Sequence, residues 1–277
     1  MKQTISFIVL ILFISLSLPL SSCRNDNEHS ELSRNDTSYT IKRIKERKVL
    51  LVGTTGDYRP LTFKEQDGSY WGFGIELAEA IAKHLEVGIK FVPTSWPTLT
   101  ADVMAEPQKF DMAIGGITIT EKRLETMLMS DGYLANGKTV LCRTDDAERF
   151  LSLADINKPD VRVMVNPGGT NEVFANENLP DATIIVHQRN EEIPTLIADG
   201  KADIMITEVT EAPYYINSDK RLAAPMIKTP FTHSYIGVLM PKGQEDLQKT
   251  VNSLLQGMKK DGSLRKLHEK YGLVYAL

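Results

Sequence analysis

The alternation of short apolar runs with an amphipathic segment is the feature that most limits the fold of this chain. Residues 48–55, "KVLLVGTT", and 88–94, "GIKFVPT", are apolar runs of strand length. Between them, the apolar residues of 74–86, "GIELAEAIAKHLE", recur at helical spacing, which predicts a helix with one buried face. Strand, helix, strand is the unit that builds parallel sheets, so the sequence predicts an α/β fold.

The same alternation continues along the chain, and its last segment is an amphipathic helix. Further predicted elements are strands at 111–116, 161–169, 183–187 and 203–207, and a helix at 245–272 that is broken near Asp261 and Gly262.

An internal repeat relates two of these strands. The matching strings are "PTLTAD" (97–102) before "KFDMAIGGIT" (109–118), and "PTLIAD" (194–199) before "KADIMITEVT" (201–210). The alternative is a chance match between short strings, since the linkers differ in length. Ligands of open parallel sheets bind beyond the carboxyl ends of strands. Two similar lobes would therefore place residues 115–118 and 207–211 on opposite walls of one cleft.

The N-terminal segment predicts export. Residues 1–22 begin with a positive charge, continue as an apolar run and end in small residues before Cys23, as in a lipoprotein signal peptide. The alternative is an uncleaved membrane anchor, although a spanning helix needs about 20 apolar residues. Residues 23–40 are polar and predict a lipidated Cys23 followed by a flexible tether. We expect a protein of the periplasm or cell surface that is attached to a membrane through Cys23.

Composition excludes several other classes of function. The net charge is −4 and no block of basic residues occurs, so no nucleic-acid partner is predicted. Once Cys23 carries a lipid, Cys142 is the remaining cysteine, and a packed thiol is a more common state for it than a nucleophile. The five histidines are scattered outside any metal-ligand spacing, so no metal is predicted.

The first predicted wall offers groups that bind carboxylates. Gly115 and Gly116 allow close backbone approach, Thr118 supplies a hydroxyl, and an arginine such as Arg123 can hold a carboxylate with two parallel hydrogen bonds. The alternative for Arg123 is a surface ion pair with a neighbouring glutamate.

The second wall has "VNPGGTNE" (165–172), where a strand turns into a helix near Thr170. Free amides at a helix start favour an anion, and Asn166, Thr170 and Asn171 add side-chain donors. Tyr58 and Trp96 follow predicted strands of the first lobe in turns that contain proline. The alternative for both rings is the hydrophobic core, but flat rings in a cleft suit a cyclic ligand.

Glu208 and Glu211 lie three residues apart after the strand at 203–207. The residues alone leave three interpretations open: an ordinary helix start, a clamp for a positive ligand, or an acid that takes part in chemistry.

Five motifs in order resemble a known family over residues 41–273. They are "TTGDYRP" (54–60), "PTSWP" (93–97), "GGITITEKR" (115–123), "NPGGTNE" (166–172) and "DGKADIMITEVTEA" (199–212). Their order is similar to that of the polar amino-acid-binding family of periplasmic solute-binding proteins, and more closely to the cyclohexadienyl dehydratases, which are enzymes on that scaffold. The resemblance implies a two-lobed periplasmic-binding-protein type II fold with the ligand cleft between the lobes. Lobe 1 would comprise 41–137 plus 230–277, and lobe 2 would comprise 138–229.

The dehydratase resemblance implies conversion of prephenate to phenylpyruvate, or of L-arogenate to L-phenylalanine, without a cofactor. It gives Glu211 the role of general acid and Glu208 the place of an ammonium clamp. The other implied substrate-binding residues are Asp57, Tyr58, Trp96, Gly116, Thr118, Arg123, Lys138, Asn166, Thr170 and Asn171. The alternative function is a lipid-anchored receptor that delivers an amino acid to an ABC permease, and a third is a sensor without a permease.

Two points qualify the role of the acids. The dehydratases carry Asp where this chain has Glu208, and the extra methylene changes the reach of the carboxylate. A free Glu titrates near ~4.3, so a proton donor needs a raised pKa. We expect burial in the closed cleft to raise the pKa of Glu211.

Overall fold

A computed structural model describes residues 39–274 of the chain. The predicted signal peptide, Cys23 and all but the last two residues of the predicted tether lie outside the described residues. The first described element is a helix that begins at Tyr39, two residues before the predicted start of lobe 1.

The described chain alternates strands and helices. The helices are α1 (Tyr39–Arg47), α2 (Phe73–His84), α3 (Leu99–Val103), α4 (Glu121–Thr126), α5 (Leu153–Ile156), α6 (Thr170–Asn178), α7 (Ile193–Ala198), α8 (Ala212–Ser218), α9 (Glu245–Asp261) and α10 (Ser263–Lys270). The strands are β1 (Val49–Thr54), β2 (Asp57–Tyr58), β3 (Thr62–Lys64), β4 (Tyr70–Trp71), β5 (Gly88–Pro93), β6 (Met112–Ala113), β7 (Met127–Met129), β8 (Leu134–Asn136), β9 (Lys138–Arg143), β10 (Arg162–Val165), β11 (Thr183–Val186), β12 (Ile204–Glu208), β13 (Leu222–Ala223), β14 (Ser234–Ile236) and β15 (Leu239–Pro241). Short 3₁₀ helices occupy Thr144–Arg149 and Asn190–Glu192.

Two five-stranded sheets form the centres of two lobes. The first has the order β5-β1-β6-β15-β7 and the second has the order β11-β10-β12-β9-β13. In each sheet the first three strands are parallel and the last two are antiparallel to their neighbours. This architecture confirms the predicted two-lobed α/β fold.

The internal repeat of the sequence has a structural counterpart. Strands β6 and β12 hold the same third place in their sheets, and each is preceded by a buried aspartate. The backbone of Asp111 donates to Leu51 O, and its carboxylate accepts from Leu51 N at 2.8 Å. Asp203 makes the same reciprocal pair with Arg162, also at 2.8 Å. The aspartate common to "KFD" and "KAD" therefore joins the third strand of each sheet to the second, β6 to β1 and β12 to β10.

Arginines complete both aspartate sites. Arg43 and Arg47 of α1 pair with Asp111, which fastens this helix to the first sheet. Arg143 and Arg162 pair with Asp203 in the second lobe. A buried carboxylate is stable when it is paired and hydrogen-bonded, so these pairs fix the strands whose ends form the cleft.

Helix α2 packs one apolar face on the first sheet. Its buried residues Leu77, Ala78 and Ile81 belong to one core with Leu50 and Val52 of β1. Full burial of one such aliphatic side chain contributes about 1.5–3 kcal/mol. The predicted closing helix is interrupted at Gly262, whose φ of +79° favours glycine, so it forms two helices as expected.

Two short segments connect the lobes. Strands β8 and β14 lie between the sheets in the chain and pair with each other in an antiparallel ladder, with Ala135 opposite Tyr235. The predicted lobe boundaries at 137/138 and 229/230 stay a prediction.

Two predicted strands are shorter than expected. The strand at 111–116 ends at Ala113 because Gly115 and Gly116 adopt positive φ, and the strand at 161–169 ends at Val165, before the turn into α6. Cys142 lies buried in β9, where burial raises the pKa of its thiol to about 12. None of the helices within residues 39–274 combines the length and the apolar character that crossing a bilayer requires.

Candidate active site

The carboxylate of Glu208 is the meeting point of the two lobes. It lies at the end of β12 and is 3% exposed. Its Oε1 accepts from Lys138 Nζ at 2.6 Å and from Thr118 Oγ1 at 3.2 Å, and its Oε2 accepts from the Tyr58 hydroxyl. Lys138 belongs to the second sheet, whereas Tyr58 and Thr118 come from the first lobe. The cleft is therefore closed around this carboxylate.

The first wall is formed as the sequence predicts around a glycine turn. Gly116 has a φ of +86°, and a Cβ there would lie 2.8 Å from the Tyr58 ring, so only glycine allows this ring to pack on the turn. Thr120 caps α4 by accepting from the amide of Arg123 at 3.3 Å. The Arg123 guanidinium then turns back, donates to Thr118 O at 2.6 Å and lines the cleft.

The second wall presents the start of α6. Lys138 Nζ donates to Thr170 Oγ1 and to Asn171 Oδ1, both at 2.6 Å, in addition to Glu208. All three hydrogens of the ammonium are thus directed by the fold. Gly168, with a φ of +74°, lies so close to Pro97 of the first lobe that a Cβ would approach its backbone to 2.5 Å.

The remaining cavity is small. About 10 Å³ is left between the walls, which is about the volume that holds one water molecule. Its lining residues are Tyr58, Trp96, Gly116, Arg123, Asn166, Gly169, Thr170, Asn171 and Glu208. A cyclic ligand requires the lobes to separate before it enters, because the closed walls touch each other.

The aromatic residues of the first lobe lie against the cavity. The rings of Tyr58 and Trp96 meet edge to face at 5.6 Å, and the Trp96 indole N–H donates to Asp57 Oδ1 at 3.1 Å. Tyr58 also belongs to the core of the first lobe. Tyr58 is therefore both a residue of the hydrophobic core and a residue of the cleft, which were the two alternatives for its ring.

Glu211 lies behind the cavity lining and is fully buried. Asn190 Nδ2 donates to its Oε1 at 2.8 Å, and Thr207 Oγ1 lies 2.5 Å from its Oε2. The same Asn190 nitrogen donates a second hydrogen bond, of 3.2 Å, to the backbone oxygen of Asp57. Glu211 lacks an ion pair among the described residues, in contrast to Glu208.

These surroundings separate the acidities of the two glutamates. Burial alone would raise the pKa of Glu208, but the charge and hydrogen bond of Lys138 outweigh it and hold that pKa below its ordinary value. Burial raises the pKa of Glu211 to about 8; the hydrogen bonds of Thr207 and Asn190 oppose this rise, and the charges of Glu208 and Asp57 add to it. At neutral pH Glu208 is a carboxylate and Glu211 keeps its proton.

The structure brings together every predicted site residue that it describes. Asp57, Thr118 and Lys138 do not line the cavity themselves but hydrogen-bond residues that do. Glu211 lies deeper, and its partners Asn190 and Thr207 are not lining residues either. Sequence reasoning missed Asn190, which lies in "HQRNEE" without a local signal, and did not assign Thr207 a contact with Glu211. Within residues 39–274, no group of three or more His, Cys, Asp or Glu side chains could hold a metal ion.

The family comparison agrees with this architecture. The model for bacterial extracellular solute-binding proteins, family 3, matches residues 50–274. The chain belongs to this family. The family description indicates an exported protein.

Known relatives include both an enzyme and binding proteins. The chain is 38% identical over 231 residues to a cyclohexadienyl dehydratase of Pseudomonas aeruginosa, covering 83% of this chain and 85% of the relative. It is 29% identical to the L-cystine-binding protein TcyJ of Escherichia coli, with the same coverage.

Solved structures agree with these relatives. The ancestral amino-acid-binding protein AncCDT-1, a precursor of cyclohexadienyl dehydratase, is 40% identical with a TM-score of 0.77, over 84% of this chain and 99% of that one. A substituted form of an ancestral cyclohexadienyl dehydratase, AncCDT-3, is 50% identical with a TM-score of 0.52, over 83% of this chain and 95% of that one.

The pKa of Glu211 predicts a pH dependence of stability. Its pKa is 4.5 in an ordinary setting and about 8 when folded, so folding takes up a proton between these values. The stability that Glu211 contributes is complete below pH 4.5 and is lost as the pH rises to about 8, by at most about 1.4 kcal/mol per pH unit. The free energy of unfolding of the wild type minus that of Glu211→Gln should therefore fall across this window in urea titrations. The exposed Glu177→Gln is the control, and a difference that stays constant with pH would contradict the assignment.

Proposed function

We propose that this protein is an exported cyclohexadienyl dehydratase, a lyase that converts prephenate to phenylpyruvate, L-arogenate to L-phenylalanine, or both. The observation that carries the proposal is the complete burial of Glu211 beside a closed, cation-bearing cleft, where its carboxyl group has hydrogen bonds only to Thr207 and Asn190 among the described residues. This burial raises its pKa to about 8. The proposal is further supported by the 38% identical dehydratase and the 50% identical ancestral dehydratase.

The charges of the cleft suit a substrate with two carboxylates. Arg123 and Lys138 bring two positive charges against one negative charge on Glu208. One substrate carboxylate must leave as CO₂, and strong binding of that group would stabilise the ground state and slow the reaction. We therefore assign Arg123, with Thr118 and Thr170, to the carboxylate of the substrate's side chain, which is retained in the product.

Proton transfer from Glu211 completes the reaction. The bond from the ring to its carboxylate breaks, and its electron pair forms the new ring double bond. The bond between the opposite ring carbon and its hydroxyl breaks as Glu211 gives that oxygen its proton, and water leaves. Carbon dioxide, water and an aromatic ring result, and Glu211 regains a proton from solvent. General acids of this kind accelerate such steps by about 10²–10⁴-fold.

Substrate entry must open the contacts of Glu208. Glu211 does not line the closed cavity, so the substrate ring has to part Tyr58 from Glu208 before its hydroxyl meets the acid. Tyr58 and Trp96 would then face the ring, with Asp57 holding the indole in place. Lys138, Asn166 and Asn171 remain for the other polar groups of the substrate. Once Tyr58 has moved away, Glu208 is free to accept an ammonium group.

The second candidate function is amino-acid binding for an ABC permease. It is favoured by the presence in one cleft of a carboxylate, Glu208, and two cations, Arg123 and Lys138, which complement the opposite charges of an amino acid. It is also supported by the binding function that the names of TcyJ and AncCDT-1 give to those proteins.

We propose further that the mature protein begins at Cys23 and is held at a membrane by lipid on that residue. The small residues before Cys23 and the polar segment after it support this proposal. Replacement of Cys23 by Ala should move the protein from the membrane fraction to the soluble exported fraction. Equal membrane association of the variant would contradict a lipid anchor at this position.

Turnover of prephenate tests the enzyme proposal. A purified fragment of residues 24–277 should form phenylpyruvate at neutral pH faster than the spontaneous reaction. Glu211→Gln should lower kcat by roughly 10²-fold or more, because glutamine cannot donate the proton to the leaving hydroxyl.

The exposed Glu177→Gln should keep wild-type activity, and circular dichroism should show that both variants fold. Absence of turnover on prephenate and arogenate, together with tight calorimetric binding of an amino acid, would instead support the receptor.

A further inference from the structure

Asn190 connects the candidate acid to the opposite lobe. It is fully buried and begins the short 3₁₀ helix Asn190–Glu192 of the second lobe. Its side-chain nitrogen donates to Glu211 Oε1 at 2.8 Å and to Asp57 O at 3.2 Å. Both hydrogens of this amide are thereby used, one within its own lobe and one across the cleft.

The two contacts define the orientation of the amide. A backbone oxygen can only accept, so the Asn190 atom that faces Asp57 O must be the nitrogen and not the oxygen. The Asn190 oxygen has no hydrogen-bond partner among the described residues, which leaves the two N–H contacts to hold the side chain. Glu211 Oε1 therefore faces a donor and is the acceptor oxygen of the carboxyl group.

The proton of Glu211 then resides on its other oxygen. Oε1 already accepts an N–H, so the acidic hydrogen is on Oε2, which lies 2.5 Å from Thr207 Oγ1. A hydroxyl can accept as well as donate, so Thr207 can hold this hydrogen until it is transferred.

A continuous chain of contacts leads from the cavity wall to this acid. Trp96 lines the cavity and donates to the side chain of Asp57, whose backbone oxygen accepts from Asn190, which in turn donates to Glu211. Asp57 lies in the first lobe and Asn190 in the second, so separation of the lobes breaks the link between them.

We propose that Asn190 is a positioning residue that keeps the transferable proton of Glu211 on Oε2, and that it is held in this orientation only while the lobes are closed. This inference rests on the proposed role of Glu211 as the general acid. Its consequence is that the acid is oriented when the substrate is enclosed and loses this orientation when the cleft opens to release the product.

Other groups around Glu211 act on its charge but do not select one of its oxygens. Some titratable and charged residues interact electrostatically with Glu211 itself or with a residue beside it. They are Asp57, Tyr58, Arg59, Glu208 and Tyr215. Thr207 can act as donor or acceptor, whereas the Asn190 N–H can only donate. Asn190 is therefore the group that distinguishes the two oxygens.

Two near-isosteric variants test the inference. Asn190→Leu removes both donors while retaining most of the volume, and Asn190→Asp replaces the donor with a carboxyl group. Both should lower kcat at pH 7 by roughly tenfold or more with a much smaller change in KM, since a misoriented acid slows the step without loss of binding contacts. Loss of the donor should also move the alkaline limb of the kcat profile to higher pH. Asn176→Ala, at an exposed position on α6, is the matched control.

A second readout does not require turnover. The free energy of unfolding is measured against pH for Asn190→Leu and for the double variant Asn190→Leu/Glu211→Gln. The difference between the two curves reports the pKa of Glu211 in the folded Asn190→Leu variant. The pH at which this difference stops falling, which marks the folded-state pKa of Glu211, should lie above the wild-type value of about 8. If kcat falls while the alkaline limb and this endpoint both stay unchanged, Asn190 has only a structural role and the inference is overturned. If the wild type shows no turnover, the proposed function fails, and the endpoint alone decides whether Asn190 bonds the protonated carboxyl.

Discussion

The short strand Asp57–Tyr58 of the first lobe bonds Glu208 of the second lobe directly and Glu211 through Asn190, and closure of the cleft depends on these contacts. The Tyr58 hydroxyl donates to Glu208, and Asp57 accepts from the asparagine that holds Glu211. Two neighbouring residues therefore connect lobe closure to two carboxyl groups. Because Tyr58 packs on Gly116, the position of this strand is fixed by the turn that follows β6.

Glu208 and Glu211 differ in protonation state because only Glu208 forms an ion pair with a cationic side chain. Lys138 lies 2.6 Å from Glu208, and removal of this lysine alone would leave a buried charge at a cost of about 3–5 kcal/mol. Glu211 is equally buried, but its hydrogen-bond partners Asn190 and Thr207 are both neutral side chains, so its neutral form is favoured. A binding scaffold can gain an acid in this way by burying a carboxyl group three residues from an ion-paired one, across the turn between β12 and α8.

Most of the fold could be predicted from local sequence, because strand, helix and turn signals act over short distances. The repeat around "KFD" and "KAD" predicted two similar lobes, and Asp111 and Asp203 give it a physical basis, since each bonds the second strand of its own sheet. The residues of the cleft followed from glycine turns and from family resemblance.

Other features of the site had no local signal in the sequence. Asn190 is separated from Asp57 by 133 positions, and only the closed arrangement of the lobes brings the two together. The contact of Glu208 with Tyr58 spans 150 positions. The family resemblance gave Glu208 the place of an ammonium clamp, and in the closed cleft its carboxylate accepts from Lys138 and from the hydroxyls of Tyr58 and Thr118. The resemblance gave Glu211 its role, and the burial that raises its pKa follows from packing between distant segments.

The proposed chemistry depends on the protonation state of Glu211, which carboxyl ¹³C NMR can measure. Protein labelled at the glutamate side-chain carboxyl carbon would be titrated, with Glu208→Gln and Glu211→Gln used to assign the two signals. We predict that Glu211 titrates near pH 8 while Glu208 titrates below 4.5. A Glu211 signal that titrates at or below 4.5 would mean an ionised group at neutral pH, and Glu211 could not then be the proton donor.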